Sequence, residues 1–145
     1  MKTWLALARQ EAEHALAAAV REDGHRVTCR GKGCGACCQG LVAAVADEAE
    51  AILALPLDAA TLERVRSYEI AKPCPLLDPT TQACIAYAQR PLTCRVYVSY
   101  SPAAWCGDNR RVGRTERPRL GRLLQRLYGD RDVGVIGELL RAALG

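Results

Sequence analysis

The sequence predicts a mostly α-helical single domain, built from short helices with irregular cysteine-bearing loops between them. Three observations lead there: apolar residues recur at helical spacing towards both ends of the 145-residue chain, no polar–apolar alternation is long enough for an extensive sheet, and eight cysteines sit among glycines and prolines in the middle. A chain of this length is ordinarily one domain. The expected unit is residues 1–145, with a cysteine cluster over 29–106 and an Arg-rich helical segment over 107–145.

Taken in order, Leu5, Ala8, Ala12, Leu16 and Ala19 form the stripe of an amphipathic helix running from Thr3 to about Arg21, with Gly24 as its stop. Asp47 and Glu50 have the spacing of a capping box that would open a helix through Leu55, halted by Pro56. Asp58 can cap a further helix reaching about Ile70. Lys72-Pro73-Cys74-Pro75 cannot be helical throughout, and Asp78-Pro79-Thr80-Thr81 reads as a turn. Pro91 suits the first turn of a short helix carrying Cys94. Pro118 is expected to open a helix ending at Gly129, and Asp132 to cap a last one with the stripe Val135, Ile136, Leu139, Leu140 and Leu144.

The apolar material available to this fold is thin. Phe is absent, Trp and Tyr number two and five, and much of the 50% hydrophobic fraction is Ala, which buries little area. Something besides apolar burial is needed, and Cys29, Cys34, Cys37, Cys38, Cys74, Cys84, Cys94 and Cys106 are the candidates. No signal-peptide pattern is read at the start, since Lys2, Arg9, Glu11 and Glu13 interrupt the first apolar residues, and no uncharged run is long enough to span a membrane. The expected setting is therefore the cytoplasm, where clustered thiols stay reduced and more often hold metal than cross-link.

Cys34-Gly35-Ala36-Cys37 is a Cys-x-x-Cys pair whose small spacers let both sulfurs face one metal, and a four-thiolate site needs a second pair from elsewhere. Adjacent side chains diverge, so Cys37 and Cys38 either belong to different metal centres, giving two sites from eight thiolates, or one is a ligand and the other is packed or reactive. The net charge of +4 fits this reading, because eight thiolates around two divalent centres would cancel it and one four-thiolate centre would halve it. His25 lies close enough to Cys29 to replace a thiolate, but a lone His is more often solvated, as is expected for His14. Tyr87 and Tyr97 are read as shielding or core residues.

The run Cys34-Gly35-Ala36-Cys37-Cys38, then Cys74-Pro75-Leu76-Leu77, then Cys84-Ile85-Ala86-Tyr87-Ala88-Gln89-Arg90-Pro91-Leu92-Thr93-Cys94-Arg95 resembles the YkgJ-like cysteine-cluster family, of the CxxCxxCC type. That resemblance implies chelation of zinc or iron, and a related domain of flagellin lysine N-methylases points to an iron-sulfur cluster. The likeness covers Cys29 to Cys106, about half the chain. In the family the leading cysteine sits two residues before the next, whereas four residues separate Cys29 from Cys34, which makes Cys29 the least secure ligand and Cys106 the next. Within the same element, Arg90 and Arg95 beside Cys94 are candidate cofactor-binding residues that would offset thiolate charge and donate to sulfur; the alternative is surface ion pairing.

The leading expectation is a protein that holds an iron-sulfur cluster, of 4Fe-4S type, or zinc, in electron transfer, cluster handling or as accessory to a modifying enzyme. One alternative is thiol-disulfide chemistry at Cys34 and Cys37, which would need a strand before the pair and a helix after it. Another is a zinc module that binds nucleic acid through Arg110, Arg111, Arg114, Arg117, Arg119, Arg122 and Arg126. Few aromatics are available for base stacking, so that stretch is expected to serve the fold or a protein partner rather than nucleic acid or membrane. No P-loop or dinucleotide fingerprint occurs, and no His-Glu motif of a catalytic zinc site.

Overall fold

The computed structural model describes residues 1–23, 41–96 and 118–145. They are mostly helical, as the apolar spacing predicts. Helix α1 spans Thr3–Asp23, α2 Ala46–Leu53, α3 Ala59–Arg66, α4 Leu92–Arg95, α5 Pro118–Tyr128 and α6 Ile136–Leu144, with a 3-10 turn at Tyr87–Gln89. Two short strands, β1 (Ala43–Ala44) and β2 (Gly134–Val135), pair antiparallel with Ala43 opposite Val135 and Ala44 opposite Gly134.

Two apolar clusters hold these elements. In the first, the α1 stripe of Leu5, Ala8, Ala12 and Ala19, with Leu16 at its edge, packs on Leu120, Leu127 and Tyr128 of α5 and on Leu92 and Val96 around α4. In the second, Ala49 and Ile52 of α2 and Val65 of α3 pack on Ile136 and Leu140 of α6, with Val42, Ala44, Leu76 and Ala86 closing the sides. Helix α4 belongs to both, with Leu92 in the first and Cys94 against the second.

Several helix ends differ from the sequence expectation, each for a reason of packing. Helix α2 is not opened by Asp47 and Glu50. Its N-cap is Val45, held extended next to β1, and Glu48 reaches back to accept the Val45 N–H at 3.1 Å. Asp47 instead accepts the Trp4 indole N–H at 2.7 Å, tying α2 to α1. The helix stops at Leu53, short of Leu55. Asp58 does cap α3, accepting the Thr61 N–H at 2.8 Å, but α3 ends at Arg66 rather than near Ile70. There the Ser67 hydroxyl donates to the Glu63 carbonyl at 2.9 Å, and Tyr68 turns into the core. Asp132 does not cap the last helix, because the chain stays extended through β2 and α6 begins from Val135. Helix α5 runs from Pro118 to Tyr128 as expected, and Gly129 follows at φ 61°, the left-handed position glycine favours. No helix among the described residues is long and apolar enough to cross a membrane.

Candidate metal centre

Three of the eight cysteines, Cys74, Cys84 and Cys94, lie within the described residues. Proline on both sides of Cys74 keeps its segment out of helix. The Pro75 carbonyl accepts from Arg64 Nε at 3.1 Å, fastening this segment to α3, while Arg64 Nη2 donates to Thr61 Oγ1 at 3.1 Å.

After Cys74 the chain makes a tight reversal. Leu77 N–H donates to the Cys74 carbonyl at 3.0 Å, and Leu77 then pairs antiparallel with Cys84. Asp78 organises the turn between them: its Oδ1 accepts the N–H groups of Thr80 and Thr81 at 2.8 and 3.3 Å, and its own N–H donates to the Ala83 carbonyl at 2.9 Å. Gln82 completes the reversal at φ 59°. The expected turn at 78–81 is thus the device that sets Cys84 beside the segment leading from Cys74.

Cys94 is carried by α4, whose position is fixed by buried polar groups. Glu48 is wholly buried; its Oε2 accepts the Leu92 N–H at 2.6 Å, and its Oε1 accepts the Tyr128 hydroxyl at 2.6 Å as well as the Val45 N–H. Burial pushes the Glu48 carboxyl above its usual range, opposed by those three hydrogen bonds and by nearby Arg9. Burial, then the neighbouring Glu48, raises the Tyr128 hydroxyl well beyond its ordinary value, so it remains a donor.

Arg95, also buried, donates from Nε to the Arg90 carbonyl at 2.9 Å, from Nη2 to the Ala88 carbonyl at 2.7 Å, and from Nη1 to Glu13 of α1. Burial and adjacent Arg90 lower its affinity for its proton. Arg90 lies over the Tyr87 ring at 4.0 Å and donates to the Tyr87 carbonyl at 2.9 Å. The two arginines singled out beside Cys94 therefore organise the 87–95 segment and join it to α1. Arg9 extends the group through the Gln89 side chain and carbonyl; its Nε is buried with no hydrogen-bond partner among the described residues.

Cys74 is buried in the second apolar cluster, with Cys84 and Cys94 half-buried against the same cluster. Tyr68 packs close enough for Cys74 to help raise its hydroxyl, after the larger effect of burial. Three cysteines, two flanking a tight reversal and one on α4, thus pack into or against one apolar core; cysteine sulfur is a ligand type that suits zinc or iron. Among the described residues no three His, Cys, Asp or Glu side chains come together as a metal site. Cys29, Cys34, Cys37, Cys38 and Cys106 lie outside the described residues, as do His25, Tyr97 and the arginines from Arg110 to Arg117. His14 is exposed on α1.

Glu48 is the residue that sequence reasoning missed. Its one signal was a position three residues after Val45, and a capping box is normally sought after Ser, Thr, Asp or Asn. Arg9, at a helical position beside the α1 stripe, gave no signal at all.

Comparison with known proteins gives the family of the chain. The model of the CxxCxxCC family, described as "Putative zinc- or iron-chelating domain", matches residues 28–116. The match covers more than half of the chain and takes in all eight cysteines, and the chain belongs to this family. Membership supports metal binding. No curated protein and no solved structure matches the chain.

Proposed function

We propose that this protein holds an iron-sulfur cluster through cysteine thiolates and works in the cytoplasm in electron transfer, cluster handling or as accessory to a modifying enzyme. Cys34, Cys37, Cys38, Cys74, Cys84 and Cys94 are the principal ligand candidates, with Cys29 and Cys106 as further ones. The observation that supports this reading is that Cys74, Cys84 and Cys94, from separately fixed segments, pack into or against a single apolar core. A low-dielectric lining is costly for bare thiolates and favours their neutralisation by a cation.

Iron-sulfur is preferred to zinc because the adjacent Cys37 and Cys38 can serve different corners of a multi-iron cluster, where one zinc ion offers a single centre. When bound, such a cluster would supply one-electron chemistry; the chain's own part is to hold the sulfurs and shield them from water. The pairing of Arg119 with Glu22 at 3.0 Å and of Arg126 with Glu11 supports a structural use of the Arg-rich segment. The reading is tested by anaerobic purification from iron-supplied cells, followed by iron, sulfide and zinc assays and Mössbauer spectroscopy. Iron with matching acid-labile sulfide is expected; stoichiometric zinc without sulfide would replace this account with a structural zinc protein.

A further inference from the structure

We propose that the cleft beside Cys74 binds a small organic anion, with a carboxylate or phosphate head on a short apolar body. The cleft has a volume of about 250 Å³ and is lined by Arg64 and Lys72, by the apolar Pro75, Leu77 and Pro79, and by Cys74 itself, with no acidic side chain in its lining among the described residues. That combination suits neither a cation nor a purely apolar ligand.

Both cations are held in place by backbone carbonyls. Arg64 is pinned through Nε to Pro75 and through Nη2 to Thr61, which leaves Nη1 without a partner among the described residues. Lys72 Nζ donates to the Ser67 carbonyl at 3.0 Å and keeps two further N–H donors. Tyr68, only 3% exposed, also lines the cleft. A guanidinium fixed by two hydrogen bonds and a neighbouring ammonium, both with donors to spare, form an anion receptor. This inference does not depend on which metal the cysteines hold.

The test uses the full-length, metal-loaded protein with benzoate, phenyl phosphate and inorganic phosphate in separate NMR titrations. Saturable shifts confined to residues around 64–82 are expected for benzoate, phenyl phosphate or both, which also separates the two head groups. Arg64→Gln and Lys72→Gln should each weaken binding by about tenfold or more, as loss of a charged hydrogen bond implies. Metal content should stay unchanged in the Lys72 variant, whose hydrogen bond goes to Ser67 and not to the Cys74 segment. Arg66→Gln removes an exposed charge that does not line the cleft, and should bind as the wild type does. Absence of saturable binding by both aromatic anions, or equal affinity in the Arg64 and Lys72 variants, would overturn the proposal. Inorganic phosphate binding as tightly as phenyl phosphate would remove the apolar part of the site.

Discussion

Glu48 Oε2 accepts the Leu92 backbone N–H at 2.6 Å, so a fully buried carboxylate on α2 holds the first residue of the helix that carries Cys94. The same side chain receives the Tyr128 hydroxyl from the end of α5. One residue therefore joins three helices across the junction of the two apolar clusters.

Glu48→Ala should accordingly be among the most damaging single substitutions outside the cysteines. It strands the Leu92 and Val45 N–H groups in a dry site, at about 1–3 kcal/mol for each stranded buried group, and leaves the Tyr128 hydroxyl only its longer contacts with the Ala43 carbonyl and Thr93 Oγ1 at 3.4 Å. Urea unfolding of the metal-loaded variant should show a loss of several kcal/mol. A midpoint within experimental error of wild type would contradict this role.

Glu48 also makes a signed prediction for pH. Its carboxyl is raised by burial, so the folded state binds its proton more tightly than the unfolded state does. The associated stability is fully present below the unfolded value, near 4.5, and is lost as pH rises through the higher folded value. Glu48→Gln cannot titrate. The stability of wild type minus that of Glu48→Gln should therefore fall with rising pH from about 4.5 and then level off, while thiolate and metal effects cancel in the difference. A difference that grows with pH would show that the hydrogen bonds outweigh burial.

Gly137→Ala sets helix propensity against packing. Alanine is better in a helix by about 1 kcal/mol, but a Cβ at this position would lie 2.5 Å from the Tyr68 ring, and overpacking a core costs about 1–3 kcal/mol. The ring is buried and cannot swing into solvent, so packing should win and the thermal midpoint should drop. A midpoint at or above wild type would mean that α6 and Tyr68 can move apart cheaply.

These contacts mark the limit of what the sequence reveals. The α1 stripe and the Asp58 cap were legible because both depend on residues within a turn or two of one another. The starts of α2 and α6 were not, because Val45 and Val135 owe their extended backbone to the pairing of β1 with β2, roughly ninety residues apart in sequence. The early end of α3 has the same origin in tertiary packing, through Tyr68 and Gly137. At the candidate site, cysteine spacing and the turn at Asp78 were readable locally. The partners of buried Arg95 and Glu48 were not, since Glu13 and Tyr128 are distant in the chain.

The cysteines themselves should differ in how much they support. Cys94 sits on a helix anchored from both clusters, whereas Cys29 departs from the family spacing. Cys94→Ser should lose metal and stability together, because a structural thiolate site can contribute on the order of 10 kcal/mol to folding. Cys29→Ser should retain more of both. A Cys94 variant with full metal content and an unchanged melt would remove that residue from the ligand set.

The central claim, that cysteine sulfur holds the metal, is tested most directly by X-ray absorption at the metal edge of anaerobically purified protein. The account predicts a first shell of sulfur at about 2.3 Å, the distance typical of metal–thiolate bonds, with an iron–iron shell behind it. A first shell made only of oxygen and nitrogen would contradict it.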